Sequence, residues 1–246
     1  MRDDLAGGSG PPTTTVPVVV GLSPSQVFLW LALVTLALTL GDAATIPASV
    51  AAAQGDTPPG YLPRLFMLDD ERSIGTWFSS MLLALNMGLL VLNGRAARAA
   101  GTGLWPYWLA LALVFAFLSM DEIITFHEKL GTALHRRFDT DGILRFAWVL
   151  PGGLFAASVG LGSIRFLRRL PRRTAALFLI AGATYVGGAL LVEMIEAVVA
   201  SGDGRGVVFY LLVLVEEPME MLGQTIFAYA LVDHLAQGGT RMVFAP

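Results

Sequence analysis

Apolar residues occur in six long runs along the chain, each close to the length that crosses a bilayer. An α-helix needs about 20 consecutive, mostly apolar residues to span a hydrocarbon core roughly 30 Å thick. The predicted spans are residues 25–43, 73–93, 105–130, 146–167, 174–200 and 207–236. Prolines, glycines and arginines fill the segments between them. This pattern predicts an all-α fold: a polytopic membrane helix bundle of about six transmembrane helices.

The two ends of the chain lack this pattern, and the composition agrees with a membrane setting. Residues 1–24 predict a disordered N-terminal tail, and residues 237–246 predict a short C-terminal tail. Only 14% of residues are charged, against about 25% in soluble domains. The mean hydropathy is +0.66, so we expect the lipid bilayer to be the principal partner. The net charge of −3 argues against a nucleic-acid partner, and the lack of cysteine excludes disulfides and thiolate metal sites.

The basic residues predict an orientation, because cytoplasmic loops of membrane proteins are enriched in arginine and lysine. Six spans place both termini on the same side. The densest basic loop is "RFLRRLPRR", which lies on that side, so both termini are predicted to be cytoplasmic. Lys129 is the only lysine among 16 basic residues. Such arginine bias is typical of GC-rich genomes, and it favours a bacterial cytoplasmic (inner) membrane.

Eight carboxylates interrupt three of the predicted spans. They are Asp121, Glu122 and Glu128 in the third, Glu193 and Glu196 in the fifth, and Glu216, Glu217 and Glu220 in the sixth. Each ionised carboxylate near the bilayer centre costs about 2.5–3.5 kcal/mol on insertion scales. Only Lys129 is basic in or beside these stretches. A proton, a water-filled cavity or a bound cation must therefore balance the acids.

Helical geometry predicts that these acids meet in one half of the bundle. At a rise of about 1.5 Å per residue, all three helices carry their acids in the outer half of the membrane. Asp121, Thr125 and Glu128 form one helical stripe, because their spacing is i, i+4, i+7. Charged residues inside membranes generally face the bundle interior, so we expect a shared acidic site.

The residue types at this site favour a divalent metal ion. The predicted ligands are Glu122, His127, Glu128, Glu193, Glu196, Glu216, Glu217 and Glu220, with Asp121, His135 and Gln224 as secondary candidates. Carboxylates with imidazole suit Fe, Mn, Zn or Ca. This inventory resembles that of carboxylate-bridged di-iron helical bundles, although the Glu-x-x-His pairs of those proteins are missing here. Asp42, Asp70 and Glu71 are expected to be solvated caps at outer helix ends, or to line a cation entrance.

Three functions remain open from these residues. The first is a membrane metal-dependent oxidoreductase or hydrolase that acts on a lipophilic small molecule in the lipid phase. The second is a cation or proton-coupled transporter that uses the same acids as its transit site. The third is a structural membrane subunit whose buried acids are protonated and hydrogen-bonded.

Overall fold

The described residues fold almost entirely into helices. The computed structural model describes residues 18–19, 23–202, 204–238 and 243–244. The α-helices are α1 (Pro24–Ala53), α2 (Tyr61–Arg64), α3 (Ile74–Ala99), α4 (Trp105–Ile124), α5 (Phe126–Phe138), α6 (Val149–Leu167), α7 (Arg172–Val186), α8 (Glu193–Gly202) and α9 (Val207–Gln237). A π-helical segment, Gly187–Val192, joins α7 to α8, and a 3₁₀ turn covers Gly142–Leu144. Two short strands, β1 (Val18–Val19) and β2 (Val243–Phe244), pair antiparallel. The predicted all-α class is confirmed, whereas the predicted tails fall largely outside the described residues.

Five helical segments are long and apolar enough to cross a membrane. They are α1, α3, α4, α6 and the continuous stretch Arg172–Gly202. The sixth predicted span corresponds to α9, which has 31 residues. Its glutamates lower the hydropathy of the whole segment, so α9 does not belong to this group of candidate spans. The count of about six transmembrane helices is therefore not confirmed.

Two predicted spans are too short, because their helices continue through expected breaks. The first was predicted to end at residue 43, yet α1 runs through Pro47 to Ala53. A helix can accommodate an internal proline at the cost of one backbone hydrogen bond. Asp42, expected at a solvated helix end, is instead buried in α1 and accepts the Leu68 N–H at 3.1 Å. The second helix, α3, likewise continues past residue 93 to Ala99.

The third predicted span is wrong as a continuous helix. Thr125 has a left-handed backbone (φ 55°), and it separates α4 from α5. Asp121 accepts the backbone N–H of His127 at 3.1 Å, which satisfies a free donor in the first turn of α5. The predicted stripe of Asp121, Thr125 and Glu128 is therefore lost, because the helical spacing is interrupted between its members.

Helix α9 is the central element and contacts α1, α3, α7 and α8. Two asparagines of α3 bind its backbone: Asn86 donates to the Gln224 carbonyl at 3.0 Å, and Asn93 donates to the Leu231 carbonyl at 3.3 Å. Both pairs are spaced by seven residues, so the two helices keep one register over two turns. Such side-chain hydrogen bonds hold membrane helices together where apolar contact alone gives little preference.

One half of the bundle is packed with aromatic side chains. Trp108 is 1% exposed, and its ring meets the edge of Phe166 at 4.8 Å between centroids. Phe227 joins this cluster through Phe178 at 4.4 Å and through Phe115 at 4.8 Å. Buried polar side chains are few at this end, for example Asn93 and Thr174. In α4 and α9, the predicted acidic ligands lie toward the opposite ends of the same helices.

Close helix approach depends on two glycines. A Cβ atom on Gly223 would lie 2.7 Å from the Tyr185 backbone nitrogen and 2.9 Å from the Ala181 carbonyl oxygen. A Cβ atom on Gly188 would lie 2.9 Å from the Glu216 carbonyl oxygen. Gly188 belongs to the π-helical segment, where the extra residue changes the direction of the side chains that follow. The segment before Glu193 can therefore pack directly on the backbone of α9.

Candidate functional site

His127 and Asp121 form a hydrogen-bonded pair across the break between α4 and α5. The Asp121 Oδ2 atom lies 2.7 Å from Nδ1 of His127, and Oδ1 accepts the His127 backbone N–H. Burial opposes protonation of His127, but the hydrogen bond and the charge of Asp121 outweigh it and raise the pKa of His127 to about 9. Asp121, a secondary ligand candidate, thus uses both carboxylate oxygens to orient His127. The other ring nitrogen, Nε2, remains available for a second interaction.

Trp148 connects His127 to Glu193. Its indole N–H donates to Oε1 of Glu193 at 2.6 Å, and its ring lies 4.8 Å from the imidazole between centroids. Gly131 makes this packing possible, because a Cβ atom there would lie 3.3 Å from the Cβ of Trp148. The charge of Glu193 also lies within electrostatic reach of His127. Sequence patterns do not reveal the role of Trp148, because both of its partners are distant along the chain.

Glu122 lies in a polar network between α3, α4 and α9. Its carboxyl is in hydrogen-bonding contact with Ser79, whose hydroxyl accepts the Gln224 side-chain N–H at 3.1 Å. Gln224 is 2% exposed, yet its Oε1 atom has no hydrogen-bond partner among the described residues. An amide oxygen buried without a partner costs about 1–3 kcal/mol. Gln224, a secondary candidate, therefore offers a free oxygen close to Glu122.

Two pairs of carboxyl groups are in direct contact. Glu196 contacts Glu216, and Glu71 contacts Glu128. Two carboxylates share such a contact only when a positive species lies between their oxygens, since like charges otherwise repel. Oε1 of Glu196 is buried, and no N–H or O–H donor of the described residues reaches it.

Glu71 is exposed, as expected of a solvated cap, and its carboxyl also contacts that of Glu128. Partial burial, the contact with Glu128 and the charge of Glu128 raise the pKa of Glu71 to about 8. Two contacts position the loop before α3. The Leu68 N–H donates to Oδ1 of Asp42, and Nη1 of Arg205 lies 3.2 Å from Oδ2 of Asp69. Because loop packing determines these contacts, the sequence pattern alone could not show them.

Glu217 and Glu220 lie deeper along α9, next to Glu122. Glu220 is in hydrogen-bonding contact with the Tyr185 hydroxyl, and both glutamates are within electrostatic reach of Glu122. Tyr185 is a further polar side chain that sequence reasoning missed. It lies in a predominantly apolar span, so a core position was the simpler interpretation.

His135 lies apart from these contacts. Its Nδ1 atom is 3.3 Å from the Thr140 hydroxyl, near the end of α5. Across residues 23–202 and 204–238, no group of three or more histidine, aspartate and glutamate side chains converges closely enough to hold one ion. Apart from His135, the predicted ligands interact in pairs or through Ser79, Trp148 and Tyr185. They do not form a complete coordination shell among the described residues.

Five candidate spans with acidic side chains buried between them define a multi-pass membrane protein. The chain belongs to the family described as Domain of unknown function (DUF8692), whose model matches residues 26–235. No curated protein and no solved structure matches the chain. The matched range runs from the start of α1 to the end of α9, so it includes every candidate ligand.

Proposed function

We propose that this protein is an integral membrane metalloprotein that binds a divalent cation between His127 and the carboxylates of α8 and α9. The main observation in favour of this proposal is the orientation of the His127 ring. In metal sites, a ligating histidine generally donates its second ring N–H to a carboxylate, which fixes the ring and raises its basicity. Asp121 makes this contact to Nδ1, at 2.7 Å. Nε2 is then the nitrogen that would bind the metal, which would displace a proton from the ring.

Oxygen atoms without partners support a cation as the missing positive species. Oε1 of Gln224 and Oε1 of Glu196 are buried and lack hydrogen-bond donors among the described residues. The contact between Glu196 and Glu216 also requires a positive species. Divalent ions such as Ca²⁺ take several oxygen ligands, so a bound ion would compensate carboxylate and amide oxygens that lack donors.

The proposed ligands come from several helices, and the proposal requires their side chains to converge on the ion. His127 contributes nitrogen, and Glu193 is next to it across Trp148. Glu122, Glu217 and Glu220 form the deeper group, while Glu196, Glu216 and Glu128 lie in the two carboxyl pairs. This mixture of oxygen and nitrogen suits Fe, Mn, Zn or Ca. A bound ion of this kind would act as a Lewis acid and activate water or a lipid-phase substrate.

Contacts at the helix ends support a sixth span and a shared side for both termini. β1 and β2, near the two ends of the chain, pair with each other. Arg173, at the start of α7, contacts Asp233 at 3.3 Å near the end of α9. We propose that α9 crosses the membrane, with its acids covered by neighbouring helices. The basic loop before α7 and both termini would then face the cytoplasm of a bacterial inner membrane.

The apolar half of the bundle favours a closed site over a transport path. A cation that left Glu220 toward the other membrane surface would meet the buried aromatic cluster of Trp108, Phe178 and Phe227, with only a few buried polar side chains such as Asn86 and Asn93 beside it. Ion pathways are instead lined by polar groups or water-filled cavities. We therefore place chemistry or metal storage ahead of transport.

Elemental analysis of the purified protein tests the proposal. We expect about one equivalent of one divalent metal per chain after growth in supplemented medium. Glu193→Ala and Glu217→Ala should each lower that content, because each removes a proposed ligand. Inductively coupled plasma mass spectrometry measures the content directly. A folded wild type that carries no metal, even after incubation with Fe, Mn, Zn and Ca salts, would exclude the proposal.

Asp121→Asn is expected to weaken metal binding about 10–100-fold, the usual cost of losing an outer-shell carboxylate. The amide keeps the size of Asp121 but removes the charge that orients His127. Titration of metal-free protein with the metal found in the wild type measures this change. Asp141→Asn is the control, since Asp141 bonds to Ser201 outside the site. Equal affinities for the two variants would contradict the orienting role of Asp121.

A further inference from the structure

An apolar groove lies between α5 and the beginning of α6. Its volume is about 410 Å³, within the range of roughly 300–1,000 Å³ that small ligands occupy. The groove is lined by Leu130, Leu134, Phe138, Thr140, Ala147, Leu150 and Pro151. Leu130, Leu134 and Phe138 are spaced by four residues, so they form one stripe along α5.

The groove lies where two candidate spans reach the membrane boundary. α4 ends at Ile124 and α6 begins at Val149, and α5 follows the break at Thr125. Phe138 is 67% exposed and Leu150 is 58% exposed. In a membrane, apolar side chains at this level are covered by lipid acyl chains rather than by water.

Two arginines at the end of α5 lack an acidic partner. Arg136 and Arg137 are exposed, and neither is within ion-pair distance of a carboxylate of the described residues. The Arg137 guanidinium lies 6.0 Å from the centre of the Phe138 ring, at the edge of the groove. A short amphipathic helix with basic residues beside an apolar stripe is typical of binding to anionic lipid surfaces.

We propose that this groove binds one acyl chain of an anionic phospholipid, that Arg137 at its edge contacts the phosphate, and that Arg136 adds to the positive charge at this end of α5. The uncompensated arginines favour an anionic headgroup over a zwitterionic one, because a second positive group would oppose them. Trp148 separates the groove from His127, since its neighbours Ala147 and Leu150 line the groove while its ring packs on the imidazole. The bound lipid therefore lies next to the candidate site. This inference does not depend on a bound metal.

Lipid retention by the delipidated full-length protein tests this inference. The protein in detergent with EDTA is incubated with dioleoylphosphatidylglycerol or dioleoylphosphatidylcholine, and the retained lipid is quantified by mass spectrometry after gel filtration. We expect the wild type to retain several-fold more of the anionic lipid. Arg136→Gln with Arg137→Gln should lower that retention at least about fivefold, the effect of roughly one basic residue near an anionic surface. Because EDTA is present throughout, failure of the metal proposal cannot affect the result.

Matched variants separate headgroup binding from loss of structure. Arg168→Gln with Arg169→Gln removes two arginines at the other end of α6 and should retain lipid like the wild type. Leu134→Trp fills the groove and should lower retention of both lipids, whereas Leu161→Trp, at a 69% exposed position, should not. If the double glutamine variant does not fold, the double variant Arg136→Lys with Arg137→Lys replaces it. That variant keeps both positive charges, so it is expected to retain more of the anionic lipid than of the zwitterionic one. Equal retention of the two lipids by the wild type, or unchanged retention in the double glutamine variant and in Leu134→Trp, would overturn the inference.

Discussion

His127→Ala is expected to purify with less than about a tenth of the metal that the wild type carries. His127 supplies the one nitrogen ligand of the proposed site, and Asp121 and Trp148 fix its ring. Removal of a group that only supports a ligand costs about 10–100-fold in affinity, and removal of the ligand itself should cost at least as much. Elemental analysis and a binding titration on the same preparation measure the loss.

His135→Ala is the matched control for this experiment. It removes the same side chain from the same helix, but His135 faces Thr140 instead of the acidic residues. We expect metal content and helicity by circular dichroism to remain at wild-type levels. If both histidine variants keep the metal, nitrogen ligation is absent and the site consists of carboxylates alone. If both lose it, the effect comes from disruption of α5 and not from ligation.

The acidic side chains were the most visible feature of the sequence. Charges are costly in a membrane-length apolar run, so Glu122, Glu193 and Glu217 are visible against their surroundings in the sequence alone. The structure brings some of these acids within electrostatic reach of one another, such as Glu122 and Glu217, but among the described residues no group of three or more converges closely enough to hold one ion. The sequence could not predict the side-chain partners, because Ser79, Trp148 and Tyr185 are unremarkable residues within apolar stretches.

Local backbone geometry was the least predictable part. Thr125 breaks a stretch that continues without glycine or proline, and the reason is a local side-chain contact: Asp121 caps α5 and binds His127. Glu71 shows the same limit, because the loop that carries it is placed by a hydrogen bond from Leu68 to Asp42. Periodicity reports which side of a helix is apolar, but it does not report where a side chain competes with the backbone for hydrogen bonds.

Gly188→Ala is expected to destabilise the protein and to disturb the candidate site, whereas Gly182→Ala, on the preceding turns of α7, is expected to do neither. A Cβ atom on Gly188 would lie 2.9 Å from the Glu216 carbonyl oxygen and 3.2 Å from Cγ of Glu220. A Cβ atom on Gly182 would have no neighbouring atom within 4 Å outside its own helix backbone. Overpacking of this kind destabilises a protein by about 1–3 kcal/mol. At Gly182 there is no overpacking, so only the higher helix propensity of alanine contributes, and it stabilises the helix by up to about 1 kcal/mol.

Thermal unfolding in detergent measures the difference between the two glycine variants, and metal content shows whether the site moves with the backbone. The Glu216 carbonyl cannot retreat without shifting α9, which also carries Glu217 and Glu220, so Gly188→Ala should lower the melting temperature and the metal content together. A lower melting temperature with full metal content would mean that the ligands adjust independently of the helix contact. If Gly188→Ala unfolds like Gly182→Ala, then α9 does not pack on the π-helical segment as closely as the structure shows, and the positions of Glu193 and Glu216 relative to each other would need to be revised.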